Sequence, residues 1–172
     1  MHRPVFIALP VAVALLAAGC GSNSGSTGSS GGIYGSGASS ATSSIKPAVN
    51  TAPATVGVRR GAPGRFLTDG KGRTLYLFAA DHGTKSACNG ACAQAWPPLT
   101  TAGRPKATGG AQASLLATTK RSDGSTQVTY GGHPLYTFLQ DSAAGQINGQ
   151  GVNAFGGLWW VVGTNGKLIK KG

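Results

Sequence analysis

The chain has 172 residues, with 15 Lys and Arg against four acidic residues, all of them Asp, and a formal net charge of +11. Charged residues make up only 11% of the chain, and 29 residues are glycine. This composition excludes a long helical or coiled-coil protein, because such chains are rich in Glu, Lys, Leu and Ala. The length also excludes a large two-lobed enzyme, since it allows about one domain.

The first residues predict an export signal. His2 and Arg3 give a positive start, and a mostly apolar run follows as far as Ala18. The run is shorter than the roughly 20 apolar residues of a membrane-spanning helix, and it fits a secretory signal peptide over residues 1–19. Small residues then precede Cys20, as in a bacterial lipobox, although Ala17 stands where Leu is usual. We therefore expect a lipid on Cys20; the alternative is an ordinary secretory signal that is cut elsewhere.

A low-complexity segment follows the export signal. Residues 20–56 are nearly all Gly, Ser, Thr, Ala and Pro, and their few apolar residues show no period. Such a segment buries too little apolar surface to offset the entropy lost on folding. We expect a lipidated N-terminus on a disordered tether, followed by a folded domain at residues 57–172.

The rest of the chain has the pattern of a β-rich domain. Short apolar segments alternate with Asp-Gly, Gly-Gly and Asn-Gly, which supply the positive φ angles of tight hairpins. Residues 89–95 are the one segment with a helical pattern. The sequence predicts a single mainly β domain, an antiparallel meander or sandwich-like fold with one short helix near Cys88 and Cys92. The predicted hairpins join residues 65–68 to 73–78, residues 115–120 to 126–130, and residues 158–162 to 167–170.

An internal repeat organises this domain. GRTLYLFAAD at 72–81 aligns without gaps with GHPLYTFLQD at 132–141, and five of ten positions are identical. Residues two apart on a strand share one face, so the Tyr and Phe of each motif should point to the same side. We expect large aromatic residues to fill the core beside these faces, namely Trp96, Trp159 and Trp160. The repeats cover about residues 64–100 and 126–166, and the repeated motif residues are Tyr76, Phe78, Asp81, Tyr136, Phe138 and Asp141.

Two roles are open to the repeated Asp residues. Each follows its Phe by three positions, so its carboxylate should lie in the turn just beyond the strand. A carboxylate there accepts N–H groups of the residues that follow, as in an Asx-turn, and we favour this structural role. In the alternative, Asp81 and Asp141 are exposed at corresponding corners and bind a cation or a basic partner.

Three cysteines in an exported chain leave one without a partner. Lipidation of Cys20 would leave Cys88 and Cys92, for which we predict a disulfide in an oxidising compartment. The alternative is a redox-active or metal-binding pair. Redox sites use Cys-x-x-Cys, and zinc would need two more ligands, for which only His82 and His133 are at hand.

The two motifs, with CNGACAQAWPPL between them, resemble a bacterial family of predicted lipoproteins, the secreted repeat of unknown function. That family is described by a Tyr-x-(Phe/Trp/Tyr)-x-x-Asp motif, and the resemblance covers about residues 64–166. It implies an envelope lipoprotein with two copies of the repeat, and it implies no activity.

Motifs for catalysis are not found in the sequence. There is no Gly-x-Ser-x-Gly nucleophile elbow, phosphate loop, dinucleotide fingerprint or EF-hand loop, and no Cys-x-x-Cys-His for a haem. We expect no cofactor and no catalytic residue. Cleavage of glycosidic bonds would need two facing carboxylates, for which Asp81 and Asp141 are the one candidate pair.

The basic charge has two interpretations. One group of basic residues runs from the tether into the first predicted hairpin: Lys46, Arg59, Arg60, Arg65, Lys71 and Arg73. A second group, Lys167, Lys170 and Lys171, forms the tail. Such groups suit attraction to anionic lipids or wall polymers. In the other interpretation the charge serves solubility. Nucleic acid is not an expected partner, because no basic helix or RNA-type aromatic motif occurs.

These observations predict a non-catalytic binding or structural module of the cell envelope, held to the outer face of the membrane by the lipid on Cys20. The alternative is an envelope enzyme, or a redox or metal accessory protein, that uses Asp81 and Asp141 or the pair Cys88 and Cys92.

Overall fold

The computed structural model describes residues 51–170, in which short strands alternate with turns and one short helix. The predicted signal peptide, Cys20 and most of the predicted tether lie outside the described residues. The strands are β1 (Thr55–Gly61), β2 (Gly64–Asp69), β3 (Tyr76–Phe78), β4 (Lys106–Ala107), β5 (Leu116–Lys120), β6 (Thr126–Tyr130), β7 (His133–Pro134), β8 (Asn153–Ala154) and β9 (Gly157–Val161); the helix is α1 (Ala91–Ala95), and a 3₁₀ turn (Ala113–Leu115) precedes β5.

The strands form three small sheets, with the orders β2-β1-β4, β3-β9-β8 and β5-β6-β7. All neighbours are antiparallel except β1 and β4, which run parallel. The mainly β class and the single short helix beside the Cys pair are as predicted. The sheet of β3 and β9 joins one repeat to the other.

The three predicted hairpins differ in outcome. The hairpin over residues 115–130 is confirmed as β5 and β6. The turn at 163–166 is also present, closed by Gly163 N–H to Lys167 O at 2.8 Å and a bridge between Val162 and Leu168. The prediction of a hairpin over residues 65–78 is correct at the turn and wrong for the strands that follow it. After the bridge between Thr68 and Thr74, β2 pairs with β1 and β3 pairs with β9.

Strand β1 begins before the predicted end of the tether at residue 56. Val56 is fully buried and pairs with Asp69, and the Ala54 N–H donates to Thr101 Oγ1 at 2.9 Å. Small residues in this segment fit against the core, so a composition typical of a tether continues into the fold. The position of the boundary depends on these contacts and not on the local sequence.

The two faces of each repeat strand lead into two different cores. We call one the aliphatic core: Ala54, Val56, Leu67, Leu75, Leu77, Leu99, Val128, Tyr130, Leu135 and Val162. We call the other the aromatic core: Phe66, Tyr76, Phe78, Cys88, Cys92, Trp96, Tyr136, Phe138, Trp159 and Val161. The Tyr and Phe of each motif therefore share a face, as predicted, while the Leu before each Tyr points to the other core.

Trp160 is not part of the aromatic core, and this corrects the prediction that placed it with Trp96 and Trp159. Trp96 and Trp159 are 1% and 0% exposed, whereas Trp160 is half-buried and packs against the aliphatic core. Successive residues on a strand point to opposite faces, so Trp159 and Trp160 in β9 cannot both enter the same core.

Candidate functional site

The tyrosines of the two repeats bind the aspartates of the opposite repeats. Tyr76 Oη donates to Asp141 Oδ2 at 2.6 Å, and Tyr136 Oη donates to Asp81 Oδ2 at 2.9 Å. Both phenol rings are fully buried, and Asp141 is 4% exposed. Hydrogen bonds to an ionised acceptor are shorter and stronger than neutral ones. The repeated motif thus forms two crossed pairs, and neither Tyr contacts the Asp of its own motif.

Backbone contacts show the same exchange. The Tyr76 N–H donates to Tyr136 O at 2.8 Å, and the Tyr136 N–H donates to Tyr76 O at 3.0 Å. Each motif then turns away from the strand in the same manner: the Asp81 N–H reaches Phe78 O and the Asp141 N–H reaches Phe138 O, both at 3.1 Å. Tyr76 and Tyr136 form an antiparallel bridge, so the two motifs leave it in opposite directions. The Asp of each motif therefore reaches the phenol of the other repeat.

The second oxygen of each carboxylate closes a loop. Asp81 Oδ1 accepts the Ala87 N–H at 2.8 Å, and Asp141 Oδ1 accepts the Asn148 N–H at 2.9 Å. These donors lie six and seven residues onward, so the predicted short Asx-turn is not what forms at either Asp. The alternative role, binding of a cation or a basic partner, required exposed carboxylates, and Asp141 is buried.

Asx-type turns occur instead at the other two aspartates. Asp69 Oδ1 accepts the N–H groups of Lys71 and Arg73, each at 2.9 Å, and Asp123 Oδ1 accepts the Ser125 N–H at 2.9 Å. Both Asp residues stand in an Asp-Gly turn, where such bonds are local. The turn chemistry expected of the repeated motif is therefore supplied by residues outside it.

Burial changes the proton affinity of these groups. It raises the pKa of the Asp81 carboxyl above its usual value, against the opposing effects of the Ala87 N–H and the Tyr136 hydroxyl. It also raises the pKa of the Asp141 carboxyl, against the Tyr76 hydroxyl and the Asn148 N–H. The phenol pKa values of Tyr76 and Tyr136 rise as well, first through burial and then through the adjacent carboxylates. Each pair is therefore a phenol held on a carboxylate that is more basic than usual.

Four rings stack between the two pairs. Trp96 and Trp159 are parallel within 5°, with centroids 3.9 Å apart. Phe78 covers the outer face of Trp159 at 4.2 Å, and Phe138 covers that of Trp96 at 4.0 Å. Each Phe thus stacks on the Trp that belongs to the opposite repeat. Tyr76 meets Trp96 edge-on at 5.4 Å, and Tyr136 meets Trp159 edge-on at 5.1 Å.

The predicted disulfide between Cys88 and Cys92 is present and packs in the aromatic core. It spans the start of α1 and ends four residues before Trp96. Gly149 lies against the Trp96 ring, so close that a Cβ there would come within 2.7 Å of Trp96 and 2.9 Å of Tyr76. The packing of Trp96 therefore requires a residue without a side chain at position 149.

A buried arginine holds the disulfide loop, and sequence reasoning missed it. The Arg121 side chain is 1% exposed; its Nη2 donates to Cys88 O at 2.6 Å, and its Nη1 donates to Ser86 Oγ at 2.8 Å and to Gln127 Oε1 at 2.7 Å. Tyr136 Oη, whose proton is donated to Asp81, lies 2.7 Å from Ser86 Oγ and accepts the hydroxyl of that residue, so the guanidinium is linked to the second Tyr–Asp pair. In the sequence Arg121 opens a Ser-Asp-Gly turn, where an Arg is ordinarily exposed, and no local signal marks it as buried.

The described residues of the first basic group are divided between the two ends of β2: three lie at the tip of the β1–β2 hairpin, and Lys71 and Arg73 lie in the turn after Asp69. Arg59, Arg60 and Arg65 are exposed at the tip, and Arg60 stands directly opposite Arg65 across the two strands. The guanidinium of Arg65 lies against the backbone of Gly110, where a Cβ would come within 2.6 Å of Nη2. Lys71 is also exposed, but Arg73 is ion-paired with Asp69 at 2.7 Å.

Other arrangements offer less. A surface depression of about 370 Å³ is lined by residues 103–105, 116–118 and 126, among them Arg104 and Leu116, and it holds no residue of either Tyr–Asp pair. Among residues 51–170 no three His, Cys, Asp or Glu side chains come together as metal ligands. No helix in that range is long and apolar enough to cross a membrane.

Fold and site together define a small β-rich protein of two interlocked repeats, each completed by aromatic and acidic side chains of the other. Residues 57–100 and 117–163 match the family described as a secreted repeat of unknown function. The two matches cover more than half of the chain, and the protein therefore belongs to this family as a two-repeat, exported member. No curated protein and no solved structure matches the chain.

Proposed function

We propose that the protein is a non-catalytic, lipid-anchored module of the cell envelope that binds anionic polymers through the tip of the β1–β2 hairpin. The binding surface consists of Arg60 and Arg65 on one face of the tip and of Arg59 on the other face. The observation that carries this proposal is the distribution of charge: each of the four Asp side chains has a hydrogen-bond or ion-pair partner within residues 51–170, and no ion pair in that range involves these three guanidinium groups.

The acidic residues leave the hairpin tip without a counter-charge. Asp69 is paired with Arg73, Asp123 lies 3.5 Å from Arg121, and Asp81 and Asp141 accept hydrogen bonds from the buried tyrosines. No ion pair within residues 51–170 involves the three arginines of the tip. Exposed charges of one sign, free of internal partners, attract polyanions over a distance set by the ionic strength.

The register of the hairpin adds a second argument. Arg60 and Arg65 are paired across β1 and β2, so their side chains emerge on the same face. Like charges directly opposite each other destabilise a sheet. A phosphate or carboxylate bound between the two guanidinium groups would remove this repulsion and would match the forked donors of arginine.

The binding proposal is tested by titrating the purified protein with a poly(glycerol phosphate) at low and at high salt. We expect binding that weakens as salt is added, and a loss of binding in the triple variant Arg59→Gln, Arg60→Gln, Arg65→Gln. The matched control removes the same charge from exposed positions elsewhere, Lys85, Arg104 and Lys167. Equal weakening in both triple variants would reduce the effect to net charge and would overturn the assignment to the hairpin.

Anchoring is proposed at Cys20 and has its own test. Two acyl chains would hold the protein stably at the membrane, at about 0.8 kcal/mol per buried CH₂. The Cys20→Ser variant should move from the membrane fraction to the medium and should not incorporate labelled palmitate. Retention of the variant in the membrane fraction would refute lipid anchoring without touching the binding proposal.

A further inference from the structure

The aromatic core places oxidisable indole and phenol rings in direct contact with one another. The indoles of Trp96 and Trp159 stack at 3.9 Å and are 1% and 0% exposed, so no water separates them. Trp160 follows Trp159 in β9 and is half-buried. An oxidant in solution therefore meets an indole at the surface that is covalently next to the buried pair.

Each end of the indole pair meets a phenol that has a base attached. Tyr76 lies edge-on to Trp96 and donates to Asp141 at 2.6 Å; Tyr136 lies edge-on to Trp159 and donates to Asp81 at 2.9 Å. A base must lie within hydrogen-bond reach of the proton that it takes, and both carboxylates meet this condition without any movement. A buried pair of this kind is costly compared with apolar side chains in the same place, yet the fold contains two of them.

We propose that the aromatic core is a sink for one-electron oxidising equivalents, in which an oxidised tryptophan is repaired by Tyr76 or Tyr136. The oxidant belongs to the class of strong one-electron acceptors, such as the azidyl radical, and it removes one electron from an indole. The phenol then passes one electron to the indole radical cation, and its proton passes to Asp141 or Asp81. The products are a neutral indole, a neutral tyrosyl radical and a protonated carboxyl, so electrons, protons and charge balance.

The experiment generates azidyl radicals in a solution of the full chain and follows the radical by transient absorption and by electron paramagnetic resonance. In the unmodified protein we expect the tryptophan radical spectrum to be replaced by that of a tyrosyl radical. In Tyr76→Phe with Tyr136→Phe the tyrosyl signal should be lost and the tryptophan radical should persist. All proteins in the comparison carry Tyr34→Phe, because azidyl radicals also oxidise phenols directly. Each single variant should keep part of the signal, because one relay remains. Near-ultraviolet circular dichroism of each variant tests whether the aromatic core is still packed.

Tyr130→Phe is the matched control. Tyr130 is also fully buried, but its hydroxyl donates to the carbonyl of Thr164 at 2.9 Å, and a carbonyl cannot take the proton. This variant should therefore give the same tyrosyl signal as the unmodified protein. A radical that remains on tryptophan in the unmodified protein, or a tyrosyl signal that survives loss of both Tyr76 and Tyr136, would overturn the proposal. A third adverse result is loss of the signal in Tyr130→Phe.

Discussion

Replacing Tyr76 by Phe removes one hydroxyl from the fold and leaves the carboxylate of Asp141 with a single donor, the Asn148 N–H. A hydrogen bond to a charged group contributes about 1.5–3 kcal/mol, and Asp141 is 4% exposed, so water replaces little of it. We expect the free energy of unfolding to fall by about 2 kcal/mol at neutral pH. For a domain of this size, that lowers Tm by roughly 6–10 °C.

The loss should depend on pH, with a sign that follows from the carboxyl. Burial raises the pKa of Asp141, and the Tyr76 hydroxyl is a contact that holds it down. Without the hydroxyl the pKa rises further. A carboxyl whose pKa is raised by folding destabilises the folded state above that pKa, and the penalty is relieved as the pH falls toward the unfolded value of about 3.9. The variant should therefore recover stability, relative to the unmodified protein, between about pH 7 and about pH 4.

Urea unfolding of both proteins at the two pH values measures this difference. Tyr130→Phe again provides the control, because its hydroxyl bonds only to neutral backbone groups, the Thr164 carbonyl and the Gln112 N–H. Their loss should cost about 1–3 kcal/mol and the same amount at either pH. If Tyr76→Phe costs the same at both pH values, the proton on Asp141 is not coupled to the Tyr76 hydroxyl, and the interpretation of the pair as a phenol on a carboxylate fails.

Further consequences concern the parts that fix the aromatic core. Arg121→Met should lower the free energy of unfolding by about 3 kcal/mol, because the Cys88 carbonyl and Gln127 lose a buried donor; a chemical denaturation curve close to that of the unmodified protein would contradict this. Reduction of the disulfide between Cys88 and Cys92 should cost about 2 kcal/mol, because the loop is short, and calorimetry with and without a reductant measures it. Gly149→Ala should cost about 1–3 kcal/mol through overpacking and should weaken the near-ultraviolet circular dichroism of Trp96, whereas an unchanged spectrum would mean that the ring has room.

Features that depend on neighbouring residues could be predicted from the sequence. The hairpin of β5 and β6 follows from an Asp-Gly turn between two short segments, and the disulfide follows from the count of cysteines in an exported chain. The two faces of each motif follow from the two-residue period of a strand. The turn and the strand period are local signals, but they do not decide which strands pair beyond a turn, as the separate partners of β2 and β3 show.

Features that depend on distant residues could not be predicted. The pairing of β3 with β9 joins segments about 80 residues apart, and Arg121 contacts Cys88 across 33 residues. An Arg beside a Ser-Asp-Gly turn has the same local pattern whether it is exposed or buried. The burial of Arg121 is decided by the carbonyl and hydroxyl groups that surround it in the fold, and these come from a loop whose position the sequence leaves open.

The crossed Tyr–Asp pairs show that a repeated motif makes contacts between distant residues especially hard to predict from the sequence. The two motifs carry the same Tyr and the same Asp, so the sequence is equally compatible with contacts inside each repeat and with contacts between repeats. The structure uses the second arrangement for the Tyr–Asp pairs and for the Phe–Trp stacks. Neither repeat therefore contains a complete aromatic core, and each supplies the acceptor for the buried phenol of the other. Because an unpartnered buried hydroxyl or carboxylate is costly, one repeat cannot lose its packing without exposing the other to the same cost, and the two must fold as one unit.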